Sequence, residues 1–86
     1  NDTVKNIAVL GATGSIGRQT LDIIALHPES YRAVVLTAGS KADKLIEAAL
    51  VHRPRRVVIG RRELLPQVEA ALVPLGIECR AGDEAL

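Results

Sequence analysis

Glycines at positions 11, 14 and 17 punctuate the run Val9-Leu10-Gly11-Ala12-Thr13-Gly14-Ser15-Ile16-Gly17-Arg18. An apolar stretch, Ile7 to Leu10, leads into them, and apolar residues at helical spacing follow. A strand, a glycine turn and a helix start in that order make an anion site. The first-turn N–H groups lack intrahelical partners, and the positive end of the helix dipole lies beside them. The natural guest is the pyrophosphate of a dinucleotide. Gly11 turns the chain, Gly14 lets backbone approach a phosphate, and Gly17 lets helix pack close to strand. The G-x-x-G-x-x-G spacing is one residue longer than the G-x-G-x-x-G fingerprint of the Rossmann fold. Thr13 and Ser15 could offer hydroxyls to the pyrophosphate while also capping the helix.

A second group of residues bears on which dinucleotide is held. NAD sites usually place Asp or Glu at the end of the second strand, facing the adenosine ribose. Here that strand ends Thr37-Ala38-Gly39-Ser40-Lys41, and the first carboxylate is Asp43, already inside the next helix. Gly39, Ser40 and Lys41 suit a ribose 2′-phosphate, which points to NADPH rather than NADH. A charge-assisted hydrogen bond from Lys41 would contribute roughly 1.5–3 kcal/mol. The plainer reading of Lys41 is a solvated residue opening a helix, but the dipole mildly disfavours a cation there.

The remaining reactive types carry less. Arg18 could reach a phosphate but reads more readily as a solvated first-turn residue. Arg53, Arg55 and Arg56 with His52 form a basic cluster ahead of a strand, whereas ligands of open α/β sheets sit beyond the carboxyl ends. Arg61 and Arg62 follow a strand on the correct edge, near where an adenine would lie. His27 and His52 read as helix-end residues favourable to the dipole, and Cys79 as a small buried strand residue. No catalytic constellation is present: no Ser–His–Asp set in register, no paired carboxylates on one face, no Tyr-x-x-x-Lys pair. No metal-spaced His and Cys occur either.

These residues must be positioned by alternating strands and helices. Strands are expected at Val4–Leu10, Tyr31–Ala38, Arg56–Gly60 and Ile77–Ala81, with helices at Ser15 to about Leu26, Lys41 to about His52 and Arg61 to about Leu75. The first helix shows Ile16, Thr20, Ile23, Ile24 and His27 at helical spacing, and Pro28 stops it. In the second, Leu45, Ala48, Ala49 and His52 share a face, and Pro54 follows the end. The third tolerates Pro66 only in its first turn and stops at Gly76. Asp83-Glu84-Ala85-Leu86 looks like the opening of another helix. The alternation predicts an α/β, Rossmann-like parallel sheet (βαβαβαβ), with right-handed crossovers placing all three helices on one face. The near-continuous Ala33-Val34-Val35-Leu36 centre reads as a strand covered on both faces. The expectation is therefore the first half of a doubly wound domain, residues 1–86 being its N-terminal part.

Composition bounds the rest. Of 86 residues, 48% are hydrophobic and Tyr31 is the only aromatic, so the core is built from small aliphatics. A chain of this length buries only about 60% of its unfolded surface. The missing aromatics argue against single-stranded nucleic acid, and a net charge of +1 is too balanced for general polyanion binding. Neither nucleic acid nor a membrane is expected as a partner, since no apolar run reaches the length of a span. With Cys79 alone there is no disulfide framework, and a reducing compartment fits. The first residues lack a signal-peptide layout, and the absent initiator Met suggests processing or preceding residues.

The loop continuing into Gln19-Thr20-Leu21-Asp22, then His27-Pro28-Glu29-Ser30-Tyr31 and Val35-Leu36-Thr37-Ala38-Gly39-Ser40, resembles 1-deoxy-D-xylulose 5-phosphate reductoisomerase over roughly Lys5 to Gly82. The resemblance implies NADPH contacts from Thr13, Gly14, Ser15 and Ile16, and from Gly39, Ser40 and Lys41 at the 2′-phosphate end. That family commonly has Asn where this chain has Lys41; a Lys keeps and strengthens phosphate pairing. It implies a phosphosugar substrate whose carbon skeleton is rearranged and then reduced by NADPH, giving 2-C-methyl-D-erythritol 4-phosphate. Mg²⁺ or Mn²⁺ would be bound in a later catalytic domain beyond Leu86. It further implies a homodimer in the bacterial cytoplasm or a plastid stroma. Two alternatives use the same loop: a semialdehyde-dehydrogenase-like NADPH reductase, and a non-catalytic NADP-sensing module.

Overall fold

Strand and helix alternate along the whole of residues 4–82, the part of the chain that the computed structural model describes. They are β1 (Lys5–Val9), α1 (Ser15–Leu26), β2 (Tyr31–Ala38), α2 (Ala42–His52), β3 (Arg56–Ile59), α3 (Leu65–Leu72) and β4 (Glu78–Ala81). The expected helix opening at Asp83–Leu86 lies outside the described residues. All neighbours are parallel, and the sheet runs in the order β1-β2-β3-β4. This is the expected Rossmann-like succession, each crossover stepping the same way.

Local chemistry explains the element ends. The His27 N–H donates to the carbonyls of Ile23 and Ile24, closing α1 just ahead of Pro28. Arg53 takes a left-handed conformation (φ 50°) at the end of α2, its N–H bonded to the Ala49 carbonyl. The third helix, expected to be continuous from Arg61 to Leu75, is a short α-helix between 3-10 turns at Arg62–Leu64 and Val73–Leu75. Pro66 sits in the first turn of α3, as expected. Pro74 has no N–H to continue the ladder, so the last turn tightens.

One apolar layer joins the sheet to all three helices. Val9, Ala33, Leu36, Val57, Ile59 and Cys79 on the strands pack against Leu21 and Ile24 of α1, Leu45 and Ala49 of α2, and Val68 and Leu72 of α3. One expectation is corrected here. On α1 the buried residues are Gly17, Leu21 and Ile24, whereas Ile16 and Ile23 are 80% and 53% exposed. The helix is rolled so that Gly17, not an isoleucine, meets the loop before it. On β2 the apolar run also holds an irregularity of pairing. The register slips, Ile7 pairing with Ala33 and Ala8 with Val35, so Val34 is an extra residue. That slip is why Ala33, Leu36 and Ala38 all reach the same core.

The opposite sheet face carries no helix among the described residues. Its middle holds Ala8, Val35, Thr37 and Val58. Toward the amino ends of the strands the Glu78 carboxylate pairs with Arg80 at 2.6 Å and Arg56 at 3.4 Å. Arg56, part of the basic cluster seen in the sequence, is thus a strand residue in an ion pair. The Arg80 hydrogen bond, with Arg56 adding to it, holds the Glu78 carboxyl below its ordinary range. Among the described residues no helix is long and apolar enough to cross a membrane.

Candidate dinucleotide site

The turn between β1 and α1 is fastened to the end of β2. Gly11, at φ +69°, donates its N–H to the Thr37 hydroxyl oxygen at 2.8 Å, and the Ala12 N–H donates to the Thr37 carbonyl at 2.7 Å. A left-handed φ is the conformation glycine adopts without strain. One threonine therefore grips two successive backbone groups of the loop. The loop closes on itself through the Gly14 N–H and the Gly11 carbonyl at 2.9 Å.

The approach of α1 to this loop depends on Gly17. A Cβ built there would lie 2.1 Å from the Gly11 carbonyl oxygen and 2.8 Å from the Ala12 Cα. Helix and loop thus touch backbone to backbone, as the spacing predicts. The N-cap is Gly14 in extended conformation, and no side chain caps the helix. This corrects the expectation that Thr13 or Ser15 would do so: Ser15 is already the first helical residue. The outcome favours a ligand. Thr13 and Ser15 have no hydrogen-bonded side-chain partner among the described residues, and the N–H groups of Ser15, Ile16 and Gly17 have no backbone acceptor there. No acidic residue lies in the first turn of α1 to compete with an anion.

Gly39, Ser40 and Lys41 follow β2 at the carboxyl edge of the sheet, all exposed. Lys41, expected to be the first helical residue, is instead the N-cap of α2, one residue before the helix starts, and its carbonyl accepts from the Leu45 N–H at 3.0 Å. Arg61 sits on the same edge after β3, its N–H donating to the Gly39 carbonyl at 3.0 Å and its guanidinium 3.4 Å from Glu63. The loop residues at 11–17 and the Gly39–Lys41 segment are thus brought to one edge, with Thr37 between them.

The histidines and the cysteine lie elsewhere. His27 caps α1, its ring edge-on to Tyr31 at 6.3 Å and its Nδ1 3.7 Å from Glu29. His52 is in the last turn of α2 as expected, but it is half-buried. Burial lowers its pKa, and the nearby Asp22 carboxylate opposes that shift. Cys79 is buried on β4 and its thiol pKa is raised by burial. No group of three or more His, Cys, Asp or Glu able to hold a metal ion occurs among the described residues.

Thr37 is the residue that sequence reasoning passed over. Its signal is a hydroxyl following the apolar run Ala33-Val34-Val35-Leu36 near the end of β2.

Comparison with known proteins bears on this edge. Residues 7–86 match the family model of 1-deoxy-D-xylulose 5-phosphate reductoisomerase. The enzyme of that name from Xanthomonas campestris pv. campestris (strain 8004) is 46% identical over 86 residues, covering 98% of this chain and 22% of its own length. The Methylococcus capsulatus enzyme is 44% identical, covering 96% of this chain and 22% of its own. Among solved structures, the Zymomonas mobilis enzyme in complex with NADPH superposes with a TM-score of 0.90 at 36% identity, over 96% of this chain and 22% of that one. A reductoisomerase in complex with NADPH, fosmidomycin and magnesium gives 0.87 at 34% identity, over 95% and 20%. The chain spans about a fifth of the length of the relatives it matches.

Proposed function

The chain belongs to the 1-deoxy-D-xylulose 5-phosphate reductoisomerase family, and from that membership we propose that it is the NADPH-binding portion of such an enzyme. The whole protein rearranges and reduces 1-deoxy-D-xylulose 5-phosphate to 2-C-methyl-D-erythritol 4-phosphate. The observation that carries this reading is the loop held by Thr37, with unused N–H groups at Ser15, Ile16 and Gly17 and unpartnered hydroxyls at Thr13 and Ser15. These donors fit a pyrophosphate, with Gly11, Gly14 and Gly17 shaping the cradle. Gly39, Ser40 and Lys41 hold the 2′-phosphate. When bound, NADPH supplies the hydride for the reduction. This chain's residues bind and orient it.

Residues 1–86 form, on this reading, the N-terminal part of a doubly wound domain. The bare sheet face and the exposed Leu10, Ile16 and Ile23 support that, since they offer apolar surface to the remainder of the fold. Mg²⁺ or Mn²⁺ and the phosphosugar belong with a catalytic part of the protein outside this chain. We take the full protein to be a homodimer of the bacterial cytoplasm or plastid stroma. Neither the semialdehyde-dehydrogenase-like nor the sensor alternative is favoured by the family match.

The test is cofactor binding by the full-length protein carrying this chain, measured by calorimetry. NADPH should bind more tightly than NADH, and Gly14→Val should abolish binding of both. Equal affinities for the two cofactors, or a Gly14→Val variant with unchanged affinity, would overturn the assignment.

A further inference from the structure

From the cleft between α1 and α2 we infer that Arg18 and Lys44 are specificity-determining residues, which complete with Lys41 a three-cation seat for the ribose 2′-phosphate. The inference rests on the dinucleotide reading above and extends it to two residues that neither the glycine loop nor the Gly39–Lys41 segment includes.

The cleft has a volume of about 260 Å³ and opens at Ala12 and Thr13, the inner residues of the glycine loop. Arg18 and Asp22 line one wall and Lys44 and Glu47 the other. Because α1 starts at Ser15 and α2 at Ala42, Arg18 and Lys44 both stand in the first turn of parallel neighbouring helices. They therefore face each other across the mouth. Lys41, the N-cap of α2, lies three residues before Lys44 at the same end of that helix, just outside the lining of the cleft. Neither Arg18 nor Lys44 forms an ion pair among the described residues.

Their order along the helices is the second observation. In α1 the cation precedes its acid by four residues (Arg18, Asp22), and in α2 by three (Lys44, Glu47). In α1 that order opposes the helix dipole, which favours acids early and cations late, whereas α2 also carries Asp43 in its first turn. Both helices nevertheless place a cation without an ion pair in the first turn, where the dipole disfavours it. An anion bound at the mouth would reverse the sign of that effect. The anion must be small and doubly charged to sit among three cations at the edge of a dinucleotide site. A phosphomonoester on the ribose meets that description, whereas the bare hydroxyl of NADH brings no charge to the mouth. Val51 and His52, from the last turn of α2, line the far end of the cleft, and Asp22 and Glu47 stand one turn further from the loop than the two cations.

The experiment uses the full-length protein with Arg18→Gln, Lys44→Gln, the double variant, and Gly14→Val as reference. Dissociation constants are measured for NADPH, NADH, 2′,5′-ADP, 5′-AMP and inorganic phosphate. Each single variant should weaken NADPH and 2′,5′-ADP about tenfold and the double variant about a hundredfold, with NADH and 5′-AMP within about twofold. Arg18→Lys should recover part of the loss, because it keeps the charge without the fork. Parallel losses for NADPH and NADH, or no loss for either, overturn the inference; if Gly14→Val still abolishes both, the dinucleotide reading survives it. A Gly14→Val protein that binds both cofactors normally overturns the two together. Inorganic phosphate competing with NADPH as strongly as 2′,5′-ADP would mark a free-phosphate site and overturn the assignment to the ribose.

Discussion

Replacing Gly17 by alanine adds one methyl group at the tightest point of the fold. That methyl would stand 2.1 Å from the Gly11 carbonyl oxygen, whereas carbon and oxygen settle at about 3.3 Å even in favourable C–H···O contacts. Roughly 1.2 Å must therefore be opened between helix and loop. If the loop moves, the Gly11 and Ala12 hydrogen bonds to Thr37, at 2.8 and 2.7 Å, are lost, at about 1 kcal/mol each. If α1 moves, the packing of Leu21 and Ile24 opens, at a cost of about 1–3 kcal/mol. Alanine returns about 1 kcal/mol of helix propensity, leaving a net destabilisation of about 1 kcal/mol by the first route and about 0–2 kcal/mol by the second. Either route also displaces the first-turn donors of α1 by about an ångström, enough to weaken NADPH binding tenfold or more. Urea unfolding and NADPH titration of the full-length protein measure the two effects. Gly39→Ala is the control: a Cβ there meets nothing within 4 Å, so its stability should match wild type. A Gly17→Ala protein within about 0.5 kcal/mol of wild type, with undiminished NADPH affinity, would refute the close approach as the loop's organising contact.

The other predictions address the loop clamp, the cofactor choice and pH. Thr37→Val removes the acceptor for the Gly11 N–H and should weaken NADPH and NADH alike, about threefold to tenfold. Thr37→Ser should restore both, and a loss confined to NADPH would contradict the clamp. Lys41→Glu should reduce NADPH affinity far more than NADH affinity, and equal losses would remove Lys41 from the 2′-phosphate site. His52 has a folded pKa below its ordinary 6.5, chiefly from burial, so the unfolded chain takes up its proton first. Stability is then full above about pH 6.5 and declines as pH falls through the depressed folded value. Denaturation midpoints of His52→Gln should lose that stretch of pH dependence, and an unchanged slope would assign it to other groups.

Much of this architecture was legible because strand–helix alternation leaves marks that do not depend on tertiary context. Pro28 and the apolar run before Gly39 delimit α1 and β2 at Ser15–Leu26 and Tyr31–Ala38, as read from the chain. Spacing shows that a helix has an apolar face but not how the helix is rolled. On α1 the roll is set by Gly17, which has no side chain and so adds nothing to a hydrophobic pattern. The Val34 slip was hidden for a related reason: an extra residue in an all-apolar run leaves no break in composition. The Thr37 clamp joins positions 26 residues apart, beyond the reach of any local motif. The close-packing role of Gly17 was, by contrast, legible from the glycine spacing, and a Cβ there would meet the Gly11 carbonyl oxygen at 2.1 Å.

The consecutive strand order bears on how the cofactor site comes into being during synthesis. Lys5 pairs with Tyr31, Val35 with Arg56, and Arg56 with Glu78, so every pairing closes over a single crossover. Such a sequential topology needs no later strand to be inserted between earlier ones. A nascent chain can add each strand to the growing edge in the order in which it leaves the ribosome. The contacts of the glycine turn with Thr37 are complete once β2 has been made. In order of emergence, the glycine turn and its Thr37 clamp thus precede the residues of α2.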